Sequence, residues 1–332
     1  MSRPSLLARI ADATLDRSLV LGYTRIGPAL RRSWWPADPQ PGSLLGKRVV
    51  VTGATSGIGE AMVASFLDLG ATVHVLGRNA EKVTNMVSGL RADRPASQLV
   101  EEVCDVSDLD AVRAWTTDLT QRLADDSDGL HGLVHNAGVM VPERSESPQG
   151  HEMALAVHVL GPHLMTERLL PVLGAGQGGT VVIMSSGGMY SAGLRSKPDE
   201  IEYRDGSYDG VRGYARTKRM QVVLADAWDR RLRGGQVAVE SCHPGWVATP
   251  GIDDSLPGFG KLMGPLLRDP ASGADTAVWL VAARPDSTGT HHFWHDRATR
   301  PTTYPFQRRQ DPADERAFLD YVAGATGTVW VG

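Results

Sequence analysis

Apolar positions along the chain fall into short β-branched runs separated by longer stretches of helical period. The runs are "RVVVTG", "ATVHVLG", "GLVHNAG", "GTVVIMSS" and "QVAVESCHPG", within an alternation that extends from Lys47 to about Ala283. Runs of this length that are apolar on both faces, with helices between them, predict a parallel sheet covered on both sides. "THHFWHDR" (290–297) continues the pattern, with Thr290–Trp294 as a last strand. Alternate residues of a strand point to opposite faces, so His291 and His295 do not make a helical metal pair there. Asp311-Pro312 followed by "ADERAFLDYVAG" predicts a helix with an N-cap, proline at N1 and a closing glycine. Ahead of the strands, residues 1–35 have helical character and "PADPQPGS" (36–43) reads as a linker. The organisation expected is a helical extension and linker over 1–44, a main domain over 45–300 and a helical tail over 301–332.

Composition narrows the class. The chain has 332 residues, 42% hydrophobic and 22% charged, which suits a globular protein with a substantial core. A net charge of −4 gives no support for a nucleic-acid surface. Cys104 and Cys242 lack partners at metal or redox spacing, so both are expected as reduced thiols in a cytoplasmic protein. No apolar run reaches the roughly 18–20 residues of a membrane span. The N-terminus lacks the apolar centre of a secretory signal.

The first chemical motif is "VVVTGATSGIGEAM". Gly53, Gly57 and Gly59, with Thr55, Ser56 and Ile58 among them, follow a strand and open a helix. Glycines there let the backbone turn sharply and bring N–H groups against a pyrophosphate at the helix N-terminus. A glycine loop alone can be no more than a tight turn; the flanking strand and helix favour the dinucleotide.

With these residues the chain resembles the short-chain dehydrogenase/reductase family. Thr52-Gly53-x-x-x-Gly57-Ile58-Gly59 is similar to its nucleotide loop. "HNAG", with Asn136, Ala137 and Gly138, resembles the family's turn after the fourth strand, His135 replacing the first asparagine. Ser186 ends the fifth strand where the family carries its serine, and Tyr214-Ala-Arg-Thr-Lys218 matches Tyr-x-x-x-Lys. His243-Pro244-Gly245 through Val247 and Thr249 resembles the segment that closes over the nicotinamide. The likeness extends over nearly the whole chain, leader included. It implies a Rossmann-type, doubly wound, three-layer α/β fold with a mostly parallel seven-stranded sheet. It also implies homodimers or homotetramers built through the Tyr-x-x-x-Lys helix and its neighbour.

Tyr214 and Lys218 share a helix face. A phenol with an unperturbed pKa of about 10 exchanges protons poorly at neutral pH until a nearby cation favours its phenolate. Lys218 supplies that charge and, by resemblance, holds the nicotinamide ribose. Ser186 is expected to hydrogen-bond the substrate oxygen beside Tyr214 as hydride moves to or from the adjacent carbon. Any lone Tyr-x-x-x-Lys is ordinarily a solvated helix face; Ser186 and the glycine loop argue against that here. At the end of the second strand a carboxylate would select NAD. By alignment with the family that position is Gly77, followed by Arg78 and Asn79, and a guanidinium suits a 2′-phosphate. NADP(H) is therefore expected over NAD(H), the alternative being that Arg78 is a plain surface charge. Asp105 and Val106 look like the family's adenine contacts, with the N-cap of the following helix assigned to Ser107.

"HEMALAVHVLGPH" (151–163) contains three histidines. His158 occupies the position of the family's fourth catalytic residue, an asparagine whose main-chain carbonyl holds a relay water. It is expected to line the active site, with a direct proton-relay role left open because histidine exchanges protons near neutral pH. His151 and His163 are expected as surface or packing residues, and no metal site is expected. The polar insertion "SKPDEIEYRDGSYDG" should lie near the mouth. The segment 249–270, with Ile252, Leu256, Phe259, Leu262, Met263 and Leu266, suits a mobile lid with an apolar underside over a lipophilic carbonyl or alcohol. The leader carries Arg9, Arg17, Arg25, Arg31 and Arg32 against Asp12 and Asp16. It either packs its apolar side on protein or makes a peripheral contact with an anionic membrane. Two functions stay in view: an oxidoreductase and a non-catalytic dinucleotide sensor or scaffold.

Overall fold

The computed structural model describes all residues except 1–5, 95–97, 125–127, 177, 250–257, 259–262, 286–291, 305–306, 308–309 and 331–332. Most of the lid segment, including Ile252, Leu256, Phe259 and Leu262, and also His291, therefore lie outside the described residues.

The strands are β1 Arg48–Thr52, β2 Thr72–Gly77, β3 Leu99–Val103, β4 Gly132–His135, β5 Gly179–Met184, β6 Val237–Cys242, β7 Phe293–His295 and β8 Ala298–Thr299. They lie in the order β3-β2-β1-β4-β5-β6-β7-β8, parallel except for the last pair. The sheet has eight strands rather than the expected seven, because the turn after β7 returns two residues antiparallel along its edge. The order in which successive strands are added reverses between β1 and β4, which are parallel, and a crevice opens there at the carboxyl ends of the strands.

Alternation along the strands divides the core. Val49 and Val51 face α4 (Gly57–Asp68), α5 (Ala80–Asp93) and α11 (Pro270–Ala283). Val50, Leu133 and Val181 face α6 (Leu109–Arg122), α8 (Gly161–Leu169) and α10 (Gly210–Leu232). Between β4 and α8 run α7 (Met153–Leu155) and a wider π turn, Ala156–Leu160. The insertion before α10 contains α9 (Pro198–Ile201), and its Glu202 is fully buried. Glu202 accepts hydrogen bonds from His151 Nδ1 and the Glu152 N–H at 2.7 Å each, and from Tyr321.

The predicted tail helix is α12 (Pro312–Thr326), capped by Asp311. Its Phe318, Leu319 and Val322 enter the core beside Trp228 of α10. His163, buried on α8, bonds Thr328 at 2.9 Å and lies between Trp228 and Trp330. The chain's own tail thus packs against α8 and against Trp228 of α10, the helix carrying Tyr-x-x-x-Lys.

The leader forms three helices, α1 (Leu6–Arg17), α2 (Leu19–Tyr23) and α3 (Ile26–Arg31). It is joined to the domain by a buried ion network, with Leu15 and Tyr23 buried alongside. Arg31 bonds Asp12 at 2.7 Å and Asp296 at 2.6 Å; Arg300 bonds Asp12 at 2.6 Å. Arg268 holds the other oxygen of Asp296 at 2.6 Å. Three arginines thus face Asp12, Asp16 and Asp296, which neutralises charges that would be costly to bury alone. Among the described residues, no helix is long and apolar enough to cross a membrane.

Candidate active site

The crevice at the reversal point is a cavity of about 720 Å³. At one end, α4 starts at Ser56, whose side chain makes no capping hydrogen bond. The first N–H groups of a helix lack intrahelical partners, so this uncapped end presents donors and a partial positive charge to an anion. Gly53, at φ 62°, has no space for a side chain: a Cβ would lie 2.7 Å from Ala137 Cα. A Cβ at Gly59 would meet Asn136 Nδ2 at 2.7 Å. Asn136 acts as a strut, its amide donating to the Thr52 and Gly53 carbonyls at 3.1 Å each. The glycine loop and the "NAG" turn are therefore one interlocked unit.

Thr55, Ser56, Gly57, Ile58, Arg78, Asn79, Asp105, Val106, Ala137 and Gly138 all line the cavity. Arg78 is exposed at its rim beside Lys82, which sequence reasoning did not single out. A side chain at Gly77 would crowd Thr55 at 3.0 Å and Val83 at 2.9 Å, so no carboxylate fits there without rearrangement. Asp105 Oδ1 accepts from the Ser107 N–H and hydroxyl at 2.9 and 2.7 Å. Ser107 is thereby used up, and the cap of α6 is Asp108 instead, accepting from Asp110 and Ala111.

At the other end the cavity is walled by Tyr214, Lys218, Ser185, Pro244 and Thr249. Gly245, at φ 78°, makes the Pro-Gly turn, while Val247 turns away to pack on Gly273; neither lines the cavity. Ser186 ends the β5 extension, and its Oγ accepts from the Gly188 N–H at 3.1 Å. Tyr214 hydrogen-bonds Ser186; burial raises its phenol above the usual value, and that bond works in the opposite direction. Lys218 Nζ lies 5.3 Å from the Tyr214 ring centre. It donates to the Met184 carbonyl at 2.8 Å and to Gln221 Oε1 at 3.0 Å. Burial pulls this ammonium down to about 7.

His158 is fully buried in the π turn, its ring edge-on to Tyr214 at 5.5 Å. Its Nε2 accepts the Val139 N–H at 3.0 Å, so Nδ1 carries the proton and donates to Thr217 Oγ1 at 2.8 Å. Burial, together with Lys218, holds the ring neutral. Both nitrogens are occupied by structural bonds, which leaves the side chain no free site for passing protons. The His158 carbonyl instead receives Gln221 Nε2 at 2.9 Å. Gln221 thus bridges Lys218 to that carbonyl; only its i+3 spacing from Lys218 could have signalled it. His151 is a partner of Glu202, and His295 stacks on His243 at 3.8 Å. Among the described residues, no three His, Cys, Asp or Glu side chains are grouped to hold a metal.

Comparison with known proteins agrees with this geometry. The short chain dehydrogenase family model matches residues 47–256. Dehydrogenase/reductase SDR family member 12 of Bos taurus is 32% identical over 301 residues, covering 90% of this chain and 92% of that protein. Retinol dehydrogenase 14 of Mus musculus is 31% identical over 300 residues, 83% of this chain and 85% of that protein. A short chain dehydrogenase structure from Escherichia coli CFT073, complexed with NADPH, superposes with a TM-score of 0.58 at 25% identity, covering 73% of this chain and 93% of that one. The chain belongs to the short-chain dehydrogenase/reductase family of oxidoreductases.

Proposed function

We propose that the protein is an NADP(H)-dependent oxidoreductase that interconverts a carbonyl and an alcohol on a lipophilic substrate. The observation that carries this is one cavity joining an uncapped helix N-terminus at Ser56 to Tyr214 and Lys218. Its volume is in the range of cofactor and ligand sites. The α4 N–H groups and Ser56 would hold the pyrophosphate, Arg78, Asn79 and Lys82 the 2′-phosphate, and Asp105 and Val106 the adenine. When bound, the nicotinamide supplies or accepts the hydride. Ser186 holds the substrate oxygen by a hydrogen bond. Tyr214 donates its phenolic proton to that oxygen in reduction and takes it back in oxidation. Lys218 stabilises the phenolate that is left and holds the nicotinamide ribose. Val139, Met140 and Val141 give the outer cavity an apolar wall, which supports a lipophilic substrate; the retinol dehydrogenase named above accords with this.

The test is NADPH oxidation with a panel of aldehydes, ketones and quinones, with Tyr214→Phe as control. Turnover on one class, lost in Tyr214→Phe, is the expected result. Tight NADPH binding with no turnover above that variant on any class would favour the sensor reading instead.

The leader's outward surface supports a peripheral membrane contact. Asp12 and Asp16 point inward, while Arg17, Arg25 and Arg32 are exposed beside Leu7, Ile10, Val20, Leu21 and Leu30. Exposed apolar side chains and exposed arginines on the same short helical leader suit an anionic bilayer surface. Co-sedimentation with anionic vesicles should fall in a Leu7→Ser/Ile10→Ser variant; equal partitioning of both proteins removes the idea.

A further inference from the structure

Tyr23, the last residue of α2, reaches the turn that follows Ser186 from outside the main domain. A Cβ placed on Gly187 would lie 2.3 Å from Tyr23 Cε2. The ring is therefore seated on the backbone of the residue that follows Ser186. The same turn supplies the Gly188 N–H that Ser186 Oγ accepts, so the surface under the ring is the turn that aims the hydroxyl.

Its other ring contacts are with the Pro-Gly turn and with His295 of β7, edge-on at 5.2 Å. The ring lies 4.6 Å from the His243 ring and 5.8 Å, edge-on, from Trp246. The Tyr23 carbonyl accepts the Trp246 N–H at 2.8 Å and Arg268 Nε at 2.9 Å. A Cβ on Gly245 would lie 2.5 Å from that guanidinium and 2.6 Å from the Tyr23 carbonyl. Arg268 also donates to the Gly22 carbonyl at 2.6 Å, to His295 Nε2 at 2.9 Å and to both oxygens of Asp296. Its main chain accepts from the Ala248 N–H at 2.9 Å and donates to the Trp246 carbonyl at 2.8 Å. The buried Arg268 guanidinium thus ties the Tyr23 carbonyl to Asp296 and His295.

We propose that Tyr23 is a positioning residue that the leader contributes to the active site, its ring and carbonyl setting the Ser186–Gly188 turn and the His243–Trp246 turn relative to each other. The ring, not the hydroxyl, does this: the phenolic oxygen is buried without a hydrogen-bond partner. The leader is then part of the site's architecture rather than an appendage.

The kinetic arm rests on the oxidoreductase reading; a second arm does not. On the full chain, Tyr23→Leu, Tyr23→Phe, Gly187→Ala and the Gly187→Ala/Tyr23→Leu pair are compared by kcat and KM. They are also compared by NADPH affinity and by amide exchange over residues 186–189 and 244–247. Tyr23→Leu should lower kcat/KM by about 10- to 100-fold, the scale of a small misplacement of reacting groups, with NADPH affinity kept. Exchange should quicken in both turns, and Tyr23→Phe should match the parent. Because the added methyl of Gly187→Ala strikes the ring, the pair should be less impaired than Gly187→Ala alone, a coupling that separated sites do not show. Unchanged kcat/KM and exchange in Tyr23→Leu, parallel loss of NADPH binding, an equal fall in Tyr23→Phe, or strictly additive effects in the pair would each overturn the proposal. If the parent protein turns over nothing, the oxidoreductase reading fails, and the exchange pattern alone decides the role of Tyr23.

Discussion

Lys218 is held by two oxygens, the Met184 carbonyl and Gln221 Oε1, and burial brings it down to about 7. A reaction that needs its cation loses rate as pH rises through that value. Gln221→Glu puts a carboxylate where the amide oxygen lies 3.0 Å from Nζ, which favours the charged form and moves the fall to higher pH. The pH profile of kcat measures this directly, and an unmoved alkaline limb contradicts it. His158 carries the second expectation at this scale. The glycine loop and the shared helix face of Tyr214 and Lys218 were legible from local spacing, and the places of Ser186 and His158 from the family resemblance. What its ring nitrogens bond was not legible, since Val139 and Thr217 come from other segments. His158→Asn cannot span both partners, so it should cost about 1–3 kcal/mol for the unsatisfied groups. A fall in Tm with the limbs of the pH profile unmoved is the predicted pattern; a lost limb would restore the relay.

Among the elements, the leader was the least legible. Its helical period was visible, but its partners Arg268, Asp296 and Arg300 lie far along the chain, and no periodicity reports a buried ion network. The same limit explains the cap of α6, where Asp105 takes Ser107 and leaves the role to Asp108. For Asp12, burial would raise the carboxyl, but Arg300 and Arg31 outweigh it and hold the group below the usual range. A depressed folded-state value means the pairing contributes fully above an unfolded pKa of about 3.9 and is lost as pH falls through the folded one. Acid should therefore loosen residues 6–31 from the domain. Amide exchange measured downward from pH 5 should show quickening there before β1 and β4; simultaneous exchange of all three would contradict the assignment.

Over the whole molecule, a parallel sheet covered on both faces was readable from the apolar runs, since buried parallel strands need continuous β-branched sequence, and its doubly wound form from the family resemblance. The α12 helix was readable too, but not where it docks. Phe318, Leu319 and Val322 are inserted beside Trp228, and Arg230 pairs with Glu315. A second copy that used that face of α8 would have to displace the tail. The protein should sediment as a monomer at micromolar concentration; a dimer that keeps the tail in place would require another face.

The central claim is that hydride passes between a nicotinamide and a carbonyl carbon beside Tyr214. Its most direct measurement uses NADPH deuterated at nicotinamide C4 and mass spectrometry of the alcohol formed from a substrate that turns over. One deuterium is expected on the new carbinol carbon from one of the two C4-labelled forms, and no labelled product from Tyr214→Phe above background. An alcohol without deuterium from either form, or equal labelling by Tyr214→Phe, would contradict it.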